Sequence, residues 1–234
     1  MIVSDFVPKV FLEATGKINT FATGSAKWLK ILALANVKID DWMDEPNIDW
    51  NSLYSPDYSL GTVTATAAFT YPAAVRKLGQ QEGNVVRILH TDGSAFTDYS
   101  IVGAERQKEY ANGQRTYQNN YVIETGATLR FNRAFATTDP QFGGTIYAPV
   151  FLFASHISAD ADVIPVDIPN WLVYATAADY VSYDVTRQNL TPRLEAKANE
   201  IMANMKSNNG GQVTRIYQPF RPFAENWVDE AWTS

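Results

Sequence analysis

Apolar residues recur at helical spacing near both ends of the chain and alternate at strand spacing in between. Val7, Val10, Phe11 and Ala14 fall on one stripe of a first helix, with Ser4 or Asp5 as cap, Pro8 in the first turn and Gly16 as stop. Trp28, Ile31, Leu32, Ala35, Ile39 and Trp42 form the stripe of a longer helix from about Ser25 to Glu45, which Pro46 ends. Trp171, Tyr174, Ala175, Ala178, Val181 and Val185 give a third stripe, with Asn170 as cap. Leu194, Ala198, Ile201, Met202 and Met205 give a fourth, with Thr191 as cap and Pro192 at the first helical position.

Between these pairs the period drops to two. Gly61–Thr66, Asn84–His90, Thr116–Glu124, Thr128–Asn132 and Thr145–Phe153 read as strands, separated by turn pairs such as Asp92-Gly93 and Thr125-Gly126. A short helix from about Val102 to Ala111 interrupts them. No βαβ succession is visible, so the sheet is expected to be antiparallel. The expected class is α+β. A four-helix core is built from both ends of the chain, residues 1–57 and 166–211, and an inserted β-rich domain occupies residues 58–165. Residues 212–234 form an extended arm. That last stretch has neither period, carries Pro219 and Pro222, and concentrates Tyr217, Phe220, Phe223, Trp227 and Trp232. Aromatics on a segment without a core of its own are partner-binding candidates, against folding back on the same subunit.

Charge changes this picture in its distribution more than in its sum. The 234 residues carry 19 Lys and Arg against 25 Asp and Glu, a net charge of −6. Six acids and no base lie between Ile39 and Val75: Asp40, Asp41, Asp44, Glu45, Asp49 and Asp57. Six more and again no base lie between Ala134 and Thr186: Asp139, Asp160, Asp162, Asp167, Asp179 and Asp184. Both stretches read as solvated surface, or as a wall past which DNA slides without sticking. The acids from Asp40 to Glu45 close a helix where negative charge opposes its dipole, which points to a basic partner surface.

Composition removes much of catalytic chemistry. There is no cysteine, and the two histidines are His90 and His156. Disulfides, thiolate zinc sites and thiol nucleophiles are excluded, and no metal or cofactor is expected. His90 reads as the end of a strand entering a turn. His156 with Asp160 and Asp162 has ligand-type residues at loose spacing, which a loop explains equally well. No nucleophile elbow or phosphate-cradling glycine pattern is present, and Gly24-Ser25 reads as a helix cap. Between Arg76 and Arg133, Arg76, Lys77, Arg87, Arg106, Lys108, Arg115, Arg130 and Arg133 outnumber six acids. Beside Tyr110, Tyr117, Tyr121 and Phe131 they could form a single-strand-binding face or an ordinary solvated one. No apolar run is long enough to span a bilayer, and the N-terminus shows no signal-peptide pattern.

The segments Trp28–Asn36, Trp50–Pro56, Pro169–Tyr180 and Asn199–Met202, with the order of two helices, a β insertion and two helices, resemble head-to-tail adaptor (head completion or neck) proteins of tailed bacteriophages. The resemblance implies a non-enzymatic virion protein, made in the host cytoplasm and placed at the head–tail junction. It would dock beneath the portal protein as a homo-oligomeric ring of about twelve copies and meet tail proteins, while DNA passes without specific binding. The aromatic arm would then lie along the portal. A carbohydrate- or receptor-binding module of a phage tail is the alternative, with Tyr58, Tyr99, Tyr117 or Tyr121 offered to a sugar. A hydrolase using His156 or Asp160 is the third reading.

Overall fold

The computed structural model describes residues 1–19, 21–79, 84–102 and 120–209. Helix α1 spans Val3–Thr15, and Gly16 stops it at φ 68° with its N–H donated to the Leu12 carbonyl. Its start differs from expectation. Ile2 is the capping residue; its hydrocarbon side chain can offer no bond, and its backbone pairs with Val163 in an antiparallel bridge. The first free N–H groups are satisfied from a distant loop: Val3 donates to the Asp162 carbonyl and Ser4 to that of Asp160. Pro8 therefore stands in the second turn, where its missing N–H forgoes a helical bond. Helix α2 spans Ala26–Met43, with the Ser25 hydroxyl accepting from the Trp28 N–H.

Helix α3 spans Pro169–Ser182 and α4 spans Thr191–Asn209. Ile168, not Asn170, caps α3, so Pro169 takes the first position, where a missing N–H costs nothing. Thr191 is the first residue of α4, because a 3-10 turn over Gln188–Leu190 leads straight into it. Helix α3 buries far more than one stripe: Leu172, Val173, Thr176 and Ala177 are covered along with Trp171, Ala175, Ala178 and Val181. It packs against α1, α2 and α4, and a helix enclosed by three others is apolar nearly all round. Val185 lies beyond its end and is 84% exposed. One apolar cluster draws on all four helices.

The chain between α2 and α3 is β-rich. Strands β1 (Tyr54–Thr62), β2 (Ala68–Thr70), β3 (Val75–Leu78), β4 (Val85–Leu89), β5 (Phe96–Val102), β6 (Tyr121–Thr125), β7 (Thr128–Phe131) and β8 (Thr145–Leu152) form one sheet in the order β1-β8-β4-β5-β6-β7-β2, with β3 pairing β8. Every pair is antiparallel except β5 with β6, where Ser100, Ile101 and Val102 register with Tyr121, Val122 and Ile123. This corrects the expectation of a wholly antiparallel sheet. Parallel neighbours need a crossover of a dozen or more residues, and residues 103–120 supply that length. The helix expected over Val102–Ala111 lies outside the described residues after Val102, which ends β5.

The sheet curls around a second apolar cluster. Val86 and Ile88, Leu129 and Phe131, and Ile146, Ala148 and Val150 point inward at period two. Glu124 on β6 ties the curl to β3 by accepting from the Tyr71 hydroxyl at 2.9 Å and the Leu78 N–H at 2.8 Å. The clusters meet along β8. Val150 faces into the curl, whereas Phe151 faces the helices and packs on Tyr54 with ring centroids 5.2 Å apart. No helix of the described residues is long and apolar enough to cross a membrane.

Candidate interaction surfaces

Two places stand out where helices meet the rest of the molecule: the end of α2, and a groove beside it. The acids closing α2 each meet a base of this chain. Asp40 Oδ1 lies 2.8 Å from His156 Nε2, and Lys38 Nζ lies between Asp41 Oδ2 at 3.2 Å and Asp179 Oδ2 at 3.1 Å. Asp44 pairs with Arg76 at 3.3 Å, Glu45 pairs with Lys206, and Asp49 pairs with Lys77 at 2.5 Å. Arg76 also donates to the Met43 carbonyl at 2.8 Å, closing the helix that the acids would otherwise oppose. The expectation that these acids await a basic partner is therefore corrected: the bases come from α2 itself, β3, α4, and the loop after β8.

In the second acidic stretch the carboxylates other than Asp167 are also engaged within the chain, some by bases and some by other donors. Asp139 takes Arg133 at 2.8 Å. Asp160 accepts from Thr23 and from Trp28 Nε1, the latter at 3.1 Å. Asp162 accepts the backbone N–H groups of Ser158 and Ala159, which hold its carboxyl below the usual carboxylate range. Asp184 is lowered likewise by the Thr186 hydroxyl and N–H. Asp57 and Asp167 stand exposed. These acids sit on β1, in loops and near helix ends.

Beside the α2 end, helices α2, α3 and α4 enclose an open groove of about 430 Å³. Its floor is Trp171, Ala175, Ala178, Ala198 and Met202, and the alanines leave the space that larger side chains would fill. Its walls carry Lys38, Asp41, Asp179, Glu45, Lys206 and Glu195. Burial alone would lower the Lys38 amine, but Asp179 and Asp41 outweigh it and hold its pKa above the ordinary 10.5. Three residues past Lys206, Asn209 is buried, its side chain donating to the Asp49 carbonyl at 2.9 Å and accepting from the Asn51 N–H at 3.0 Å. Sequence reading missed the groove, although alanines on both α3 and α4 stripes are a visible signal of it.

At the opposite end of α2, aromatic rings gather under lysines. Phe11 packs edge-on to Phe21 and Tyr180, and Lys30 Nζ lies 5.0 Å from the rings of both Tyr180 and Tyr183. Tyr183 is 69% exposed, and Leu29 and Val185 are exposed as well.

The remaining candidates separate. His156, Asp160 and Asp162 face different partners, as given above, and no group of three metal-ligating side chains occurs among the described residues. His90 ends β4 as expected, its Nε2 2.7 Å from Thr97 Oγ1. Tyr99 is wholly buried against Phe131 and Phe135, so it presents nothing to a sugar. Tyr58 and Tyr121 are half-buried, and Tyr117 lies outside the described residues. Of the basic set, Arg76 and Lys77 turn toward α2 and its following loop, Arg87 meets Asp98 at 3.5 Å, and Phe131 is core. Arg106, Lys108, Tyr110 and Arg115 lie outside the described residues, as do the arm residues Tyr217, Phe220, Phe223, Trp227 and Trp232. In comparison with known proteins, no family model matches the chain and no curated relative matches it.

Proposed function

We propose that this chain is a structural connector of a tailed-phage virion, docking beneath the portal as a homo-oligomeric ring and joining it to the tail. The observation that carries the reading is the division of labour within the fold. Helices from both ends of the chain share one apolar cluster, while the β segment between them closes around its own. Such a body offers helical sides for ring contacts and a projecting β part for a second set of partners. A closed ring needs two different patches on each subunit that face one another. The Tyr183, Val185 and Leu29 surface under Lys30 is one apolar candidate. In this reading the arm bearing Tyr217, Phe220, Phe223, Trp227 and Trp232 anchors the subunit to the portal, and the chain runs no reaction.

The test is the mass of the purified chain with and without portal, followed by imaging of the complex. A ring on the portal is the expected result. A chain that stays monomeric and never joins a portal overturns the reading.

A further inference from the structure

The groove between α2, α3 and α4 is lined by α4 up to Lys206, three residues before the last described residue, Asn209. Helix α4 runs along it from Glu195 to Lys206, twelve residues, or about 17 Å at helical rise. Asn209 is then held by its two bonds to the Asp49–Asn51 segment. The sequence that follows opens with Gly210-Gly211, the residue type that most easily reverses a chain. From Tyr217 to Phe223 an extended chain covers about 20 Å, close to the groove's length.

Chemistry matches as well as length. The floor is apolar, and its alanines leave room for rings. The walls hold two bases, Lys38 and Lys206, against four acids, Asp41, Glu45, Asp179 and Glu195, a balance of −2. The segment Gln212–Phe223 holds Arg215, Arg221 and no acid, a balance of +2. Pro219 and Pro222 restrict it toward an extended form, which lowers the entropy lost on docking. Left uncovered, its aromatics would expose an apolar strip of the kind that drives association.

We propose that this groove is the docking site for the chain's own segment Gln212–Phe223, with Tyr217, Phe220 and Phe223 on the alanine floor. Lys206 in the groove's wall lies only three residues before Asn209, so the arm begins beside the groove of its own subunit and the proposed occupant is the chain's own arm and not a neighbour's. The proposal does not rest on the connector reading: it concerns the free subunit, and a portal would have to draw the arm out.

The chain has no cysteine, so two can be added without competing thiols. Met202→Cys with Phe220→Cys, oxidised in dilute solution, is expected to give an intramolecular disulfide at least about tenfold faster than Ser94→Cys with Phe220→Cys, whose partner sits on the exposed β4–β5 turn. Equal rates, or disulfide-linked dimers alone, would overturn the proposal, the second by placing the arm in a neighbour. A second measurement leaves the arm unaltered. Met202→Trp fills the groove, and trypsin should then cut after Arg215 about tenfold faster while the circular dichroism is unchanged, Arg221 being protected in either case by Pro222. Unaltered cutting would count against the groove as the arm's site.

Discussion

Thr176 lies in the middle of α3, wholly buried, and its hydroxyl finds no hydrogen-bond partner among the described residues. A buried hydroxyl without a partner has given up its water and received nothing in exchange. Thr176→Val keeps the shape and removes that loss, so chemical denaturation should show a gain of about 1 kcal/mol. A loss of similar size would mean that the hydroxyl is bonded after all. Gly144 predicts the opposite sign. A Cβ there would lie 2.2 Å from the Leu89 carbonyl oxygen and 2.9 Å from that of Gln141, both backbone atoms that cannot swing aside. Gly144→Ala should cost about 3 kcal/mol or more, read from the same denaturation curves, because β8 must move away from β4.

Among the elements, the end of α2 is where charge and packing meet. Each ion pair there is partly exposed, and pairs of that kind are worth roughly 0 to 1 kcal/mol apiece. Arg76 does more than pair, since it also closes the helix at the Met43 carbonyl. Arg76→Ala should therefore destabilise by about 1 to 2 kcal/mol, while Arg76→Lys, which can keep the charge but not both contacts, should fall between. Thermal melts at low and high salt would separate the two parts: only the ion-pair share should fade as salt is raised. Such pairs explain what could and could not be read from the sequence. The stripes of α1 and α2 were legible because burial follows their period residue by residue, and so were β4, β7 and β8. Strand β3 was not, because Val75 and Leu78 bracket two charges, Arg76 and Lys77, that reach back to the α2 end and the loop after it. Strand β2 is three residues long, and β5 carries large apolar residues on both faces, Phe96 exposed and Tyr99 buried, so no apolar-in, polar-out pattern marks it. The acids were legible as charges, but their partners lie from three to 161 residues away, and only folding brings them together.

For the molecule as a whole, three groups set a limit on alkaline stability. Burial raises the Tyr71 hydroxyl far above its ordinary 10.0, with the Glu124 carboxylate adding to the effect, burial raises the Tyr99 hydroxyl as well, and Lys38 is held above 10.5 by its two carboxylates against the pull of burial. All three are groups whose folded pKa exceeds the unfolded one. Their contribution is thus complete below about pH 10 and is lost as pH rises past it, when the unfolded chain releases protons that the folded one retains. The melting temperature should be flat from pH 8 to 10 and fall above that. The fall should be shallower in Tyr71→Phe, and an unchanged slope would show that Tyr71 is not the group responsible.

The bridge of Ile2 to Val163, and the Asp160 and Asp162 carbonyls that receive the first N–H groups of α1, give the molecule an order of manufacture. From Met43 to Pro169 the ribosome adds about 125 residues, roughly 6 to 25 s of synthesis. Throughout that interval α1 lacks the loop that caps it, and both α1 and α2 lack the helix that covers their stripes. Two apolar stripes thus stay bare until α3 arrives to cover them.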